Sequence, residues 1–285
     1  MASPLRIGTR GSPLALVQAR LVADALAAQG FDSEIVPITT SGDIIQDRPL
    51  AEVGGKALWT KELDACLADG RTDLSVHSMK DVETLRPAIF AIAAMLERAD
   101  TSDRLIGAES IEALPRGALV GTSSPRRAAQ LLARRSDLRV APIRGNVQTR
   151  LAKIERGEFD ATLLAAAGLA RLGLDLGAPL DLLPAPAQGA IGIEILAERG
   201  DLRDLLAAID HRPTHEAVTA ERAFLAALGG DCHSAVAALA SDVLVRAELL
   251  SADGREVSAG EGEPEALARR LLAEASPALR AMFHP

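Results

Sequence analysis

Three times along this chain a short apolar run ends in a loop of glycine, hydroxyl or arginine residues and passes straight into a helix-capping residue. Leu5–Thr9 leads through Arg10 and Gly11 to Ser12-Pro13. Ala118–Gly121 leads to Thr122-Ser123-Ser124-Pro125. Leu138–Ile143 leads through Arg144 and Gly145 to Asn146. Serine or asparagine at an N-cap, with proline at the first helical position, marks a helix start. Strands that feed repeatedly into helices restrict the chain to an α/β fold, with parallel pairing where helices make the crossovers.

The rest of the chain fits that frame. The first helix closes at Gly30, and Ser33–Thr39 alternates like a strand. Thr60–Asp69 reads as a helix, and Asp73–Val76 and Ala88–Ala93 as strands. The polar stretch Glu97–Arg104 reads as a break, after which the pattern restarts. Helices are expected over Arg126–Arg135 and from Asn146 to Gly157, and a strand at Asp160–Leu164. Pro179–Gly189 reads as a Pro-rich linker before a strand at Ala190–Ile195 and a helix over Glu216–Leu228. The tail alternates at Asp242–Leu249, turns at Ala252-Asp253-Gly254 and enters an amphipathic helix at Pro264. The expected architecture is two α/β lobes with mostly parallel sheets and a small α+β C-terminal unit. No internal repeat of fixed period is visible.

Composition limits the function classes. The 285 residues are 48% hydrophobic and 25% charged, the profile of a folded chain of two or three domains. No run approaches the ~20 apolar residues of a membrane helix, and the first residues carry no apolar signal core. The expected location is the cytoplasm, with no membrane partner. A net charge of −8 disfavours a nucleic-acid partner. Of 31 basic residues, 27 are arginine, the side chain whose fork suits carboxylates and phosphates. No Gly-x-x-x-x-Gly-Lys-[Ser/Thr] motif occurs, which disfavours an NTP site.

The polar chemistry gathers where strands end, the usual place for ligands in α/β sheets. Arg10 and Ser12 stand at a helix N-terminus, where free N–H groups and the dipole favour anions. Thr122, Ser123 and Ser124 with Arg126 and Arg127 form a second anion nest, and Arg144, Gly145, Asn146 and Arg150 a third. Three such junctions point to a polyanionic ligand. A fourth segment, Ser75-Val76-His77-Ser78-Met79-Lys80-Asp81, adds Lys80 to the donors. Asp81 either pairs with one of the arginines or holds a cationic or N–H group of the ligand. His77 reads as a buried structural histidine. Cys66 shares a helical face with Leu63 and Leu67 and reads as a small buried hydrophobe. Cys232, in Gly229-Gly230-Asp231-Cys232-His233, sits in a permissive loop where a reactive or modified thiol is plausible. Its surroundings do not supply a zinc ligand set, and no metal is expected.

Taken in order, LRIGTRGSPLALVQA, SGDIIQDRPLAEVGGKALWTKEL, VHSMKDV, VGTSSPRRAAQL, Ile143–Leu151, AAAGLARLGL, QGAIGIE, VTAERAFL and the Cys232 loop resemble the porphobilinogen deaminase family along essentially the whole chain. That resemblance implies two periplasmic-binding-protein-like lobes with mixed β-sheets and a small α+β C-terminal domain. Residues 1–95 with 192–213 would form the first lobe, 99–189 the second and 214–285 the third domain, with the active cleft between the lobes. It implies a monomeric transferase that deaminates four porphobilinogen molecules and joins them head to tail on a dipyrromethane, releasing hydroxymethylbilane. By position Cys232 matches the thioether anchor of that cofactor, and Asp81 the catalytic aspartate. Ser78, Lys80, Thr122, Ser123, Ser124, Arg126, Arg127, Arg144, Gly145 and Gln188 match cofactor-binding positions. Arg10, Ser12, Gln18, Arg144, Arg150 and Arg171 match positions that take substrate carboxylates. Ala51–Thr60 is the expected lid.

The chain departs from the family pattern in places. The cysteine loop usually reads Gly-Gly-Cys-x-x-Pro, whereas Asp231 precedes Cys232 here and Ala235 stands where proline is usual. Glu83 replaces the proline that usually follows Lys-Asp-Val. A rival from another class is an anion receptor on the same two-lobed fold, which needs neither Asp81 in its cleft nor a modifiable Cys232.

Overall fold

The structure, a computed structural model, describes residues 3–40, 60–229, 234–241 and 244–283. The chain divides into two compact units, residues 1–99 with 189–216 and residues 100–188 with 217–285.

In the first unit β1 (Leu5–Arg10) passes into α1 (Pro13–Ala28) and β2 (Ser33–Ile38), which returns parallel to β1. Helix α2 (Lys61–Ala68) precedes β3 (Leu74–Ser78), also parallel to β1, and β4 (Phe90–Met95). The second unit begins with β5 (Asp103–Ile106) and β6 (Leu119–Gly121). It continues through α3 (Pro125–Arg134), β7 (Arg139–Ala141), α4 (Val147–Glu155), β8 (Ala161–Ala165), α5 (Ala166–Arg171) and β9 (Ala178–Leu180). The chain then returns to the first sheet as β10 (Ile191–Leu196), followed by α6 (Gly200–Leu206) and α7 (Arg212–Ala227). The tail is a three-stranded antiparallel sheet of β11 (Val236–Ser241), β12 (Leu244–Leu250) and β13 (Val257–Gly262), followed by α8 (Pro264–Glu274) and α9 (Pro277–Arg280).

The two five-stranded sheets share one plan. Their orders are β2-β1-β3-β10-β4 and β7-β6-β8-β5-β9. In each, the first three strands are parallel, and the fourth pairs antiparallel with both neighbours. The mixed sheets implied by the family resemblance are therefore present, and the mostly parallel sheets expected from the strand–helix alternation are corrected. Parallel neighbours need a crossover connection, usually a helix. The fourth strands, β5 and β10, instead follow the irregular segments by which the chain passes from one unit to the other, so nothing compels them to run parallel.

Two strands absent from the sequence reading, β5 and β9, lie in or beside these segments, and two more, β11 and β13, flank the strand expected in the tail. β5 lies at the end of the stretch read as a polar break. It is only four residues long, and Asp103 and Leu105 are its buried positions. β9 contains Pro179 and lies in the stretch read as a linker. It forms a sheet edge, where a residue without an N–H is tolerated.

Each sheet has its own apolar core. The first gathers Ile7, Val22, Leu26, Leu74 and Ile193, and the second Leu105, Val120, Leu131 and Leu163. The C-terminal sheet buries Phe224, Val236, Val245, Leu249, Leu267 and Leu271. Within the second unit the two sheets are tied together. Ala129 on α3 packs with Ala235 and Leu250. The buried Glu221 accepts from Ala187 N at 2.6 Å and from Ala240 N at 2.8 Å. Among the described residues no helix is long and apolar enough to cross a membrane.

The turn Ala252-Asp253-Gly254 connects β12 to β13 and seats against α3. Gly254 has φ 69°, and a Cβ there would fall 2.3 Å from Ala133 N. Gly157 has a similar φ of 70° but open space around it. Gly254→Ala should therefore cost about 2–4 kcal/mol from strain and overlap combined, and Gly157→Ala only about 1 kcal/mol. Urea unfolding midpoints of the two variants check this, and equal midpoints would refute the close seating.

Candidate functional site

The three junctions form as their capping residues dictate. Ser12 Oγ accepts from Ala15 N at 3.3 Å, Ser124 Oγ from Arg127 N at 3.4 Å and Asn146 Oδ1 from Thr149 N at 2.9 Å. Each cap satisfies one N–H of the opening turn and leaves others for a ligand.

In the first unit the ends of β1 and β3 meet. Arg10, Ser12, Gln18, Ser78 and Asp81 line one pocket together with Thr60, Val76, His77 and Val82. Gln18 is buried in the wall, and its Nε2 donates to Ser78 Oγ at 2.8 Å. After Ser78 the chain makes a single 3₁₀ turn, Met79–Asp81. Met79 is buried, whereas Asp81 is exposed at the pocket edge. Lys80 lies on the same turn but outside that lining. His77 is buried as expected, its Nε2 3.2 Å from Glu194 Oε2. Burial pushes the Glu194 carboxyl up, but His77 and Arg86 outweigh it and hold it down at about 2.

In the second unit the ends of β6 and β7 come together. Thr122 Oγ1 accepts from Ser124 N at 3.1 Å. Ser123 Oγ donates to Ile143 O at 2.8 Å, joining the two loops. Gly145 has φ 104°, and a Cβ there would lie 2.6 Å from Thr149 Cβ, so only glycine fits. Arg150 Nε, on α4, donates back to Gly145 O at 3.0 Å. Arg171 closes α5, and burial pushes its guanidinium down to about 10.

Arg126, Arg127 and Gln188, expected among the cofactor-binding positions, gather around one carboxylate. All three are buried and turn inward onto Asp103. Arg126 Nη2 donates to Asp103 Oδ2 at 2.8 Å, and Arg127 Nη2 to Oδ1 at 2.6 Å. Gln188 Nε2 donates to the same Oδ1 at 2.9 Å and to Thr101 O at 2.7 Å. Arg126 Nη1 is taken by Gln130 Oε1 and Leu183 O, and Arg127 Nη1 by Leu163 O. A buried carboxylate must be neutralised, and this one claims the two nearest cations. Arg126 Nε and Arg127 Nε remain buried with no hydrogen-bond partner among the described residues.

Sequence reasoning missed Asp103 and Glu194. Asp103 lay inside the apparent polar break. Glu194 stood within QGAIGIE, between Ile193 and Ile195. An acidic residue inside an apolar strand needs a buried cationic partner, and that signal was available. The Cys232 loop, and the lid expected at Ala51–Thr60 apart from Thr60 itself, lie outside the described residues.

Burial pushes the Asp103 carboxyl up, but the charges of Arg127 and Arg126 outweigh it and hold it well below the usual carboxylate range. Because the folded value lies below the unfolded value of about 3.9, the stabilisation is complete above roughly pH 5 and is lost as the pH falls further. Asp103→Asn should cost about 3–5 kcal/mol at neutral pH, by leaving two buried guanidinium groups short of a counter-charge. It should also flatten the loss of stability on acidification. Urea midpoints between about pH 3 and 7 check both effects, and an unchanged midpoint at neutral pH would show that the cluster is not structural.

The family model described as porphobilinogen deaminase, dipyromethane cofactor binding domain, matches residues 5–204, and its C-terminal domain model matches residues 215–275. A porphobilinogen deaminase from Sphingopyxis alaskensis is 58% identical over 99% of this chain and 97% of its own length. One from Paracoccus denitrificans is 49% identical over 91% of this chain and 88% of its own. Among solved structures, the Bordetella pertussis BvgS periplasmic VFT2 domain aligns with a TM-score of 0.44 at 14% identity, over 72% of this chain and 86% of its own. With both family models matched in order and relatives of this identity along its length, the chain belongs to the porphobilinogen deaminase family.

Proposed function

We propose that the protein is a cytoplasmic, monomeric hydroxymethylbilane synthase with Asp81 as its acting carboxylate and a dipyrromethane held through a thioether at Cys232. One observation carries the reading of the substrate site. Arg10, Ser12, Gln18, Ser78 and Asp81 come from separate segments yet line a single pocket.

Porphobilinogen brings two carboxylates, a pyrrole N–H and an aminomethyl group. Arg10 and the open N–H groups beside Ser12 are donors suited to its carboxylates. Within the second unit Arg144, Arg150 and Arg171 are further guanidinium groups suited to carboxylates. Asp81 accepts the pyrrole N–H. As the C–N bond breaks and ammonia leaves, positive charge spreads over the pyrrole, and a fixed carboxylate stabilises it. A C–C bond then forms, and the proton displaced from the attacked ring is lost. Asp81 is placed to help carry that proton.

The donor set fits the carboxylates of a dipyrromethane. Within the second unit Thr122, Ser123, Ser124, Arg144 and the Gly145 N–H are donors suited to those carboxylates, and within the first unit Ser78 and Lys80 are. When bound, the dipyrromethane would supply the free α-carbon to which the first pyrrole is joined. Arg126, Arg127 and Gln188 serve by fixing the head of α3 through Asp103, with two Nε donors left over. Cys66 is packed inside the first unit, which favours Cys232 as the attachment point.

Asp81→Asn should fold normally and lose turnover by roughly 10²–10³-fold, the scale for a lost electrostatic partner. Steady-state assays check this, and near wild-type turnover would reduce Asp81 to a structural role. Arg144→Lys and Arg150→Lys should each weaken substrate or intermediate binding, because the charge is kept but the fork is lost. Wild-type kinetics in both would overturn the bidentate reading. Intact-mass measurement should show the purified chain heavier by one dipyrromethane, with peptide mapping placing it on Cys232. Cys232→Ser should lose the adduct and the activity together, while Cys66→Ser keeps both. An unmodified Cys232 in active protein would refute the attachment.

A further inference from the structure

Behind the Asp81 pocket, Arg86 gathers three carboxylates. Its Nε and Nη2 clamp Glu194 at 2.8 and 2.9 Å, Nη2 also reaches Asp64 Oδ1 at 2.6 Å, and Nη1 reaches Glu83 Oε2 at 2.8 Å. The guanidinium lies 5.1 Å over the Phe90 ring. Thr60 Oγ1, at the start of α2, donates to Glu83 Oε1 at 2.8 Å. The cluster therefore binds together α2, the strand β10 and the chain leaving the Asp81 turn. Bidentate and multiply bonded guanidinium contacts of this kind fix geometry as well as charge.

The turn itself is short and is held at both ends. On its N-terminal side Met79 is buried over Gly192, where a Cβ would come within 2.0 Å of Met79 Sδ, and Met79 N donates to Ala190 O at 3.1 Å. On its C-terminal side Glu83, two residues after Asp81, is pinned by Arg86 and Thr60. Between these two anchors Asp81 is exposed at the pocket edge.

We propose that Arg86, acting through Glu83, is a positioning residue that sets the Asp81 carboxylate for the known reaction. The inference rests on Asp81 being the acting carboxylate. Neither Glu83 nor Arg86 is among the residues that line the pocket. Their contribution is to stop the chain beyond Asp81 from drifting, and displacement by about an ångström can cost orders of magnitude in rate.

Glu83→Ala is the first test, because the Glu83 side chain lies at the edge of the cluster, 21% exposed. On the cofactor-loaded enzyme, kcat should fall about tenfold. KM should stay within about twofold, and the intact mass and thermal midpoint should be unchanged. Arg86→Lys, which keeps the charge and loses the fork, should show the same split between kcat and KM. In an Asp81→Asn background Glu83→Ala should cost less than about twofold more, since a residue that acts only through Asp81 has nothing left to position. An unchanged kcat in Glu83→Ala, with or without a lowered thermal midpoint, would overturn the proposal. So would an equal fold-loss in both backgrounds. Wild-type turnover in Asp81→Asn alone would instead overturn the assignment of Asp81, and this inference with it.

Discussion

Asp103 is a carboxylate with no exposed surface, and two guanidinium groups and an amide close around it. A charge in that position is tolerated only if it is neutralised and hydrogen-bonded on every side. Its partners are Arg126 and Arg127 on the first turn of α3, and Gln188 on the segment returning to the first sheet. The head of α3, with the Ser124 cap and the Thr122 and Ser123 hydroxyls, is thereby locked to β5. Because Ser123 reaches across to Ile143 O, the lock extends to the loop that carries Arg144 and Gly145. The hydroxyl loop and the Arg144 loop are thereby held in place by a buried anion.

The first unit uses the same device. Glu194 is also fully buried and lies on β10, the strand that occupies in its sheet the place β5 occupies in the other. It holds His77 on β3 and Arg86 beyond the Asp81 turn. In both sheets the antiparallel fourth strand brings a carboxylate into the core. These carboxylates stabilise the fold only while their partners stay in place. Removing a partner would strand a buried charge, which is why such groups fix position more firmly than exposed ion pairs do.

This arrangement also accounts for the arginine-rich sequence motifs. Ser-Ser-Pro-Arg-Arg reads as an anion nest because hydroxyls, a helix start and two cations stand together. Its backbone and its Ser124 cap behave as that reading requires, yet its two guanidinium groups point inward. Arg144 lies on the loop after β7, Arg150 within α4 and Arg171 at the end of α5. What separates the two groups is an acidic residue more than 20 positions away in the chain.

Local chemistry was decided by the sequence alone. Ser12, Ser124 and Asn146 cap the helices that follow them because a side-chain oxygen one position before a helix can reach only the next few N–H groups. Gly145 is glycine because its own φ demands it, and Cys66 is buried because it shares a helical face with Leu63 and Leu67. The family, too, was legible in the order of its motifs. Only the tertiary structure decided the direction of the fourth strands, the burial of Asp103 and Glu194, and which arginines point inward. Those outcomes depend on pairings across the chain, such as Asp103 with Arg127 or Glu194 with Arg86. A charged residue carries no mark in its local sequence of whether its counter-charge is the solvent, a ligand or a distant side chain folded against it.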